Sequence, residues 1–215
     1  VYVRYLEGGR KAKFYLVQHG RNEKEMEVWW EIAVKPYLEF FDGIALSFPP
    51  NRPDIFIKQF LFIVDRTDCR NFHFFQGSSF SILPAFITAE HVDIATFDAQ
   101  GFNAASKNAV FFLPNFKKAR FGRKVRANDL PCVCPVCELA RELGLERSVL
   151  NPTSYVDYTL LQLHNLFITL QMFKIARYNP YDVPNIPPQV EKVMRYFETA
   201  LSGKRVKSDD VSKWV

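Results

Sequence analysis

Four short apolar runs in the first half of the chain end in polar residues or glycine, a pattern typical of buried β-strands. The runs span residues 14–18, 43–47, 72–76 and 92–97. Stretches with helix-compatible patterns lie between them, at residues 23–40, 54–64 and 81–90. Because strands that alternate with helices form parallel βαβ units, the pattern predicts an α/β fold.

The pattern changes after Asp98. An apolar segment at residues 110–113 precedes a basic stretch and a group of cysteines, and two predicted helices follow at residues 155–176 and 188–201. The first of these helices has apolar residues at helical spacing that place His164 on or beside its buried face. A buried imidazole needs a polar partner, so His164 is a candidate ligand.

Three cysteines within six residues, Cys132, Cys134 and Cys137, give the strongest chemical signal in the chain. Zinc is bound by four thiolate or imidazole ligands, and short cysteine spacings let one turn supply several of them while a distant helix adds the last. We therefore predict one Zn²⁺ ion bound by these cysteines and His164. Four protein ligands leave no open position, so the ion is expected to be structural.

The alternative interpretation is a redox-active or disulfide-bonded group of cysteines beside an ordinary core histidine. Cys132 and Cys134 are too close for an easy unstrained bridge, and no signal peptide or transmembrane run points to an oxidising compartment. Cys69 stands far upstream, and we interpret it as a small buried apolar residue.

Composition and charge narrow the class of protein and partner. With 48% hydrophobic and 15% aromatic residues, the chain can bury a sizeable core, which excludes disordered and fibrous proteins and predicts a soluble cytoplasmic protein without a membrane partner. The net charge of +5 is modest, but six cations without an acidic residue among them crowd into one stretch: Lys117, Lys118, Arg120, Arg123, Lys124 and Arg126. Together with Phe116 and Phe121, they predict a surface that binds the phosphates of a nucleic acid and stacks a base. A solvated loop of like charges is the alternative.

The carboxyl ends of the predicted strands indicate a second site, because ligands of parallel α/β sheets and barrels bind there. The residues at these ends are Gln18, Ser47, Gly77 and Asp98. Asp98 follows an apolar-leaning strand, so its carboxylate is presented with little freedom to move. The pattern alone leaves three roles open for it, namely general base, nucleophile or cap of the next helix.

These residues together resemble a known family. The segments Leu-Pro-Cys-Val-Cys-Pro-Val-Cys at 130–137 and Leu-Leu-Gln-Leu-His-Asn-Leu at 160–166 resemble the zinc signature of the tRNA-guanine transglycosylases, especially the archaeal type. The spacing is also similar, with 26 residues between Cys137 and His164. Weaker resemblances lie upstream. Phe97-Asp98 resembles the family's Phe-Asp at the end of the last barrel strand, residues 17–20 its Val-Gln-Gly strand end, and residues 41–45 its Tyr-Asp-Gly strand start.

The resemblance implies that the fold is the C-terminal half of a (β/α)8 TIM barrel with a zinc-binding helical subdomain. Residues 1–115 would be the second half of the barrel, 116–203 the zinc-binding subdomain with the C-terminal helices, and 204–215 a polar tail. Four strands cannot close a barrel, and the chain opens on Val1 in place of Met. We therefore expect a missing N-terminal half of the barrel, supplied by an upstream region or by a partner subunit.

The activity implied by the resemblance is that of a glycosyltransferase of the pentosyltransferase class. Asp98 would attack the anomeric carbon of a guanosine nucleotide, and a 7-deazaguanine base would replace the guanine. Gln18, Ser47 and Gly77 would contact the base, and the basic stretch would hold the nucleic acid. The expected nucleic acid is tRNA. The alternatives are a paralogue that inserts 7-deazaguanine into DNA and a non-catalytic zinc-containing subunit that binds nucleic acid.

The sequence departs from the family at two strand ends. Residues 47–49 read Ser-Phe-Pro where the family commonly has Gly-Gly-Leu, and residues 75–78 lack the family's Gly-x-Gly. A changed base pocket is expected. The family's general acid/base and its purine-reading Asp are implied to lie in the missing half.

Overall fold

The computed structural model describes residues 12–47, 53–75, 80, 83–98, 101–121 and 130–203. The chain divides into two compact units. The first unit comprises residues 1–77, 88–98 and 197–215, and the second comprises residues 78–87 and 99–196. Within the described ranges, no helix combines the length and the apolar character that a membrane crossing requires.

A parallel sheet of four strands forms the centre of the first unit. Its strands adjoin in chain order, as β1 Tyr15–Gln18, β2 Gly43–Ser47, β3 Asn71–Phe75 and β4 Ile94–Phe97. The predicted α/β fold with parallel strands is therefore confirmed. The strand bounds differ from the predicted ones by at most two residues where the structure describes them, because the apolar runs that define them are short and sharply bounded.

Helices connect the strands of the first unit. The predicted helix at 23–40 is divided into α1 Glu23–Trp29, a π-helical turn Trp30–Val34 and a 3-10 helix Lys35–Phe40. Pro36 lies where the regular helix is lost, because proline has no backbone N–H to donate to the preceding turn. Helix α2, Pro53–Val64, follows the prediction.

The core of the first unit is aromatic. Phe56 and Phe60 of α2 are buried against Phe74 and Phe72 of β3, with ring centroids 5.4 and 5.1 Å apart. Phe197 closes the cluster, at 5.9 Å from Phe56 and 5.4 Å from Phe60. Burial of each such ring contributes roughly 1.5–3 kcal/mol, so this cluster fixes α2 against one face of the sheet.

The described part of the second unit is mainly helical and contains an antiparallel hairpin. Its elements are α3 Leu83–Phe86, α4 Gly101–Lys107, β5 Phe111–Phe112, β6 Lys118–Ala119, α5 Pro135–Glu142, α6 Glu146–Leu150, α7 Tyr155–Ala176 and the start of α8 Pro188–Leu201. Helices α7 and α8 have the predicted bounds. Helix α7 begins at a capping box, in which the Ser154 hydroxyl accepts the Asp157 N–H and the Asp157 carboxylate accepts the Ser154 N–H.

Helix α7 also supplies much of the core of the second unit. Leu161, Ile168 and Met172 lie on one face of the helix and are almost fully buried. They share a single cluster with Phe111 of β5 and with the three cysteines after residue 131. The apolar core and the candidate metal ligands are therefore one packed body.

Candidate metal centre and sheet-edge site

Cys132, Cys134, Cys137 and His164 form a buried cluster in the second unit. Their candidate ligand atoms all lie within 4.8 Å of one another. The His164 Nδ1 atom is 3.3 Å from the Sγ atoms of both Cys134 and Cys137. In a tetrahedral site with metal–sulfur and metal–nitrogen bonds of about 2.3 and 2.05 Å, such atoms would be about 3.6 Å apart. The predicted four residues therefore come together in a geometry compatible with one metal ion.

The turn before α5 positions the sulfur atoms. Cys134 is the N-cap of α5, Pro135 occupies its first helical position, and Cys137 lies in its first turn. The Cys134 N–H donates to the Cys132 sulfur at 3.4 Å. From the same helix, the Arg141 guanidinium donates to the carbonyls of Leu130 and Cys132 at 3.0 and 2.5 Å. These hydrogen bonds connect the turn to α5 and so fix the spacing of the three sulfur atoms.

The imidazole of His164 is fixed by β5. Its Nε2 atom donates to the Phe112 carbonyl at 2.7 Å, which directs Nδ1 toward the cysteines. The ring stacks on Phe111, with centroids 3.9 Å apart and an interplanar angle of 17°. Metal-binding histidines usually donate their second ring nitrogen in this way, because the bond fixes both tautomer and orientation.

Hydrogen bonds within the cluster shift the pKa values of His164, Cys134 and Cys137. Burial disfavours the charged imidazole, but hydrogen bonds with Cys132 and Cys134 outweigh it and raise the pKa of His164 to about 9. Hydrogen bonds with Cys132 and Cys137 lower the pKa of the Cys134 thiol, whereas those with Cys132 and Cys134 raise the pKa of the Cys137 thiol. A divalent cation would stabilise all three thiolates together, so its binding would release protons and would strengthen as the pH rises.

The donor set fits a soft or borderline ion in a closed site. Three thiolates and one imidazole, all buried, match a structural zinc site and leave no position for a substrate. The structure contains no disulfide bond in this cluster, since all four cysteines of the chain are free thiols.

Cys69 lies outside the cluster. It is half-buried rather than fully buried, its Sγ donates to the Asn71 carbonyl at 3.6 Å, and burial raises its pKa.

Three of the six predicted nucleic-acid-binding cations lie on or beside the β5–β6 hairpin. Lys117, Lys118 and Arg120 are exposed there. The other three, Arg123, Lys124 and Arg126, lie outside the described residues. The expectation that Phe116 stacks a base is wrong, because its side chain is buried in the core of the second unit. Phe121 packs edge-on against Phe111 at 5.6 Å.

The predicted strand-end residues divide between the two faces of the sheet. Gln18 pairs in register with Leu46 and Phe74, on the face that α2 covers, and is fully buried. Its amide donates to the carbonyls of His19 and Met26, at 2.6 and 3.3 Å. Gln18 is thus held on the helix side of the sheet, and its role as a base contact stays a prediction.

Ser47 and Asp98 lie on the opposite face. Ser47 is in register with Phe75, and Asp98 continues β4 by one residue, so the two share a row at the carboxyl edge. Both are half-buried, and the Asp98 N–H donates to the Phe74 carbonyl at 3.3 Å. Helix α4 begins at Gly101, so Asp98 is not the residue directly before it. Gly77, the fourth predicted residue, lies outside the described residues.

Polar residues that the sequence reading did not single out lie on the same face. His73 and Thr96 are paired across β3 and β4, and the His73 Nδ1 atom is 2.8 Å from the Thr96 hydroxyl. The Tyr15 ring lies 5.8 Å from the His73 ring. Side chains alternate between the faces of a strand, so residues two positions apart share a face. His73 and Thr96 lie two positions before the row of Ser47 and Asp98, and this spacing could have identified them from the sequence.

The metal centre also has supporting residues that were not predicted. Asn165, next to His164, accepts the Phe112 N–H at 2.9 Å and donates to Ser106 and the Val110 carbonyl. In the sequence, the only indication of this role was that Asn165 is adjacent to a candidate ligand.

Comparison of the chain with protein-family models, with curated proteins and with solved structures found no match. The resemblance to the transglycosylases therefore stays a prediction that rests on the quoted motifs.

Proposed function

We propose that the protein is a base-exchange glycosyltransferase that replaces guanine in a nucleic acid with a 7-deazaguanine, and that Asp98 is its nucleophile. One observation supports this more than any other. The chain pairs four parallel strands in sequential order and carries Asp98 and Ser47 on one face of the sheet, at its carboxyl edge. The second unit has a buried group of three cysteines and a histidine that is compatible with one metal ion.

The order of the strands supports a barrel over a doubly wound sheet. Crossovers between parallel strands are right-handed, so strands that adjoin in sequential order place all their crossovers on one face. Phe56 and Phe60 of α2 cover that face here. The opposite face has Val17, His73 and Thr96 partly or fully exposed. We infer that further strands, from another segment of the full-length protein or from a partner subunit, complete a (β/α)8 barrel around this face.

Asp98 would then stand at the mouth of the barrel, where barrel enzymes carry their catalytic groups. Its backbone N–H is bonded into the sheet ladder, so the carboxylate is attached to a rigid element. Ser47 would lie on the same wall, two strands away. Because Ser47 stands where the family has glycine, we propose that it narrows the base pocket.

The proposed chemistry is a double displacement at the sugar. The Asp98 carboxylate attacks C1′ of the target nucleotide, the C1′–N9 bond breaks, and guanine leaves with the electron pair and takes up a proton at N9. The N9 atom of a 7-deazaguanine then attacks C1′ from the face the guanine left, the aspartyl C1′–O bond breaks, and the incoming base loses its N9 proton. One proton is gained and one lost, so no redox cofactor is needed.

The partner we propose is tRNA, with DNA as the substrate of a paralogous activity. The target base must leave its stack to reach Asp98, so the backbone needs an electrostatic hold. Lys117, Lys118 and Arg120 are exposed and can supply part of it. We further propose that the ion in the cysteine–histidine cluster is Zn²⁺, which holds the second unit together and takes no part in the exchange.

Base exchange tests the proposal directly. The full-length protein, with its partner subunit if one is required, should incorporate radiolabelled guanine into tRNA or into duplex DNA. Asp98→Asn should abolish incorporation while nucleic-acid affinity is retained, because the amide cannot form the glycosyl ester. Denaturing gels should detect a covalent protein–nucleic acid adduct with the native protein and none with the variant.

Asp93→Asn is the matched control. Asp93 precedes the same strand, but its carboxylate is exposed and pairs with Arg70 at 2.9 Å. This variant should exchange guanine at the native rate. Undiminished exchange by Asp98→Asn would remove Asp98 from the chemistry. Tight binding without exchange on either nucleic acid would instead favour the non-catalytic subunit.

A further inference from the structure

We propose that the β5–β6 hairpin is a contact surface for the phosphodiester backbone of the nucleic acid, and that the metal centre holds this hairpin in place through the backbone of Phe112. The partner class rests on the proposed function. The mechanical link between metal centre and hairpin is a further step that the hydrogen bonds of the second unit support.

Two adjacent residues of α7 are hydrogen-bonded to both backbone polar groups of one β5 residue, Phe112. His164, the candidate metal ligand, donates to the Phe112 carbonyl at 2.7 Å. Asn165 accepts the Phe112 N–H at 2.9 Å. Strand β5 thus pairs with β6 on one edge and with side chains of α7 on the other. Since all these groups are buried, a shift of the His164 ring would leave the Phe112 carbonyl without a hydrogen-bond partner, which is unfavourable away from water.

The hairpin turn is fixed at its other end. Phe116 adopts a left-handed backbone conformation, with φ at 66°, and its side chain is buried. Its N–H donates to the Leu113 carbonyl at 2.8 Å, and the Leu113 N–H donates to the Lys117 carbonyl at 2.8 Å. The Asn185 amide donates to the Asn115 carbonyl at 3.0 Å. Anchors at both ends distinguish this hairpin from a solvated loop of like charges.

The cations of the hairpin are presented by this rigid frame. Lys118 pairs with Phe112 in register, and its ammonium lies 5.6 Å from the centre of the Phe112 ring. Lys117 and Arg120 flank it and are exposed. The sequence has no acidic residue between Asp98 and Asp129, so nothing along this stretch neutralises them. Because the backbone that carries these cations is already fixed, this segment loses less conformational freedom on binding phosphates than a flexible loop would, which favours binding.

Charge substitutions test the surface. The triple variant Lys117→Gln, Lys118→Gln, Arg120→Gln should bind a fluorescent tRNA transcript and a fluorescent DNA duplex more weakly than the native protein. On duplex DNA, the slope of its log affinity against log salt concentration should be shallower by about 2.7. Between about 50 and 200 mM salt, the variant should therefore lose about 40-fold less affinity than the native protein does. A larger loss on one probe identifies that nucleic acid as the partner.

A control with the same change in net charge is available. Lys13, Lys24 and Lys174 are exposed and lie away from the hairpin in sequence. Changing these three to Gln should leave the slope within experimental error of the native value. Equal losses of nucleic-acid affinity in the two triple variants would overturn the proposed contact surface, because the effect would then be one of net charge alone.

The link to the metal is tested by Asn165→Ala, which keeps all four candidate ligands. We expect it to retain one Zn²⁺ per chain by mass spectrometry and to show the shallower salt slope of the hairpin variant. Thr169→Ala is the control, because the Thr169 hydroxyl is buried one turn later in α7 and donates to the Asn165 carbonyl within the helix. It should bind as the native protein does.

Metal removal gives a second measurement. Chelation of the native protein should make the salt slope shallower by the same amount, and added Zn²⁺ should restore it. If Asn165→Ala and the chelated protein both keep the native slope, the link is overturned. Guanine exchange is a separate measurement, so its absence would remove the proposed reaction and leave the metal-held hairpin standing.

Discussion

The two units differ in how they arrange their candidate functional residues. In the second unit, four candidate ligand residues are buried, and their ligand atoms lie within 4.8 Å of one another. In the first unit, Ser47 and Asp98 lie at the edge of a sheet with partly exposed strands, and Gln18 lies on its other face. A closed site is thus completed by its own chain, whereas an open sheet edge requires further walls before it can enclose a ligand.

Loss of the metal should have the largest effect, and it should be confined to the second unit. Cys137→Ser removes one ligand of a site whose binding free energy in small zinc domains reaches about 10–16 kcal/mol. We expect loss of the metal and faster hydrogen exchange at the amides of Phe112 and α7, while β2 and β3 stay protected. Hydrogen–deuterium exchange with mass spectrometry measures both units at once.

Cys69→Ser is the matched control for that experiment, because Cys69 lies outside the cluster. It should keep the metal and the native exchange pattern. Equal deprotection of β2 and β3 in Cys137→Ser would show that the units do not differ in their dependence on metal.

A core substitution in the first unit should give the next largest effect and should spare the metal. Phe60 is fully buried against Phe72 and Phe197. Phe60→Ala should lower the free energy of unfolding by about 3–5 kcal/mol, because it removes a ring and leaves a cavity. Denaturant titration with metal analysis measures this. Phe40→Ala, at a residue that is 48% exposed, should change stability little, and metal loss in Phe60→Ala would contradict the separation of the two units.

Arg141 tests how far the closed site depends on residues that do not touch the metal. Arg141→Gln removes the guanidinium bonds to the carbonyls of Leu130 and Cys132. We expect metal affinity to fall about tenfold, at the lower end of the effects of such supporting residues, because Arg141 is exposed. Competition with a chromophoric chelator measures the affinity. Arg177→Gln, another exposed arginine, should bind as tightly as the native protein, and a native affinity for Arg141→Gln would show that the turn holds its shape unaided.

The smallest predicted effect concerns the start of α7. Partial burial acts to raise the pKa of Asp157, but hydrogen bonds from Thr153, Ser154 and Ser148 outweigh it and lower the pKa. A carboxyl group with a lowered pKa stabilises the folded state above its unfolded pKa of about 3.9 and loses this contribution as the pH falls through its folded pKa. Asp157→Asn should therefore cost about 1 kcal/mol or less at pH 7, since the capping hydrogen bonds of Asp157 lie at the solvent-exposed surface.

Thermal unfolding at several pH values measures this effect. The difference between the native protein and Asp157→Asn should shrink as the pH falls below about 4. Glu142→Gln, at an exposed residue in the last turn of α5, should show no such trend. A difference that grows in acid would contradict the assignment.

Much of the fold and of the metal cluster could be predicted from the sequence. The four strands are short apolar runs, and α2, α7 and α8 have apolar residues at helix-compatible spacing. Both patterns stand out without tertiary information. The cysteines are close in sequence, and His164 lies on a strongly apolar helix, so the ligand set could be read directly. The short helices α4, α5 and α6 could not, because five to eight residues carry too little periodic signal and depend on packing.

Local spacing and residue type are enough to identify the residues that can bind a metal and the segments that form the parallel sheet. Three outcomes follow only from the folded chain: Gln18 and Asp98 lie on opposite faces, Phe116 is buried, and Phe112 is hydrogen-bonded to both His164 and Asn165. These outcomes depend on strand register and on pairings between residues more than 50 positions apart, which no local pattern encodes.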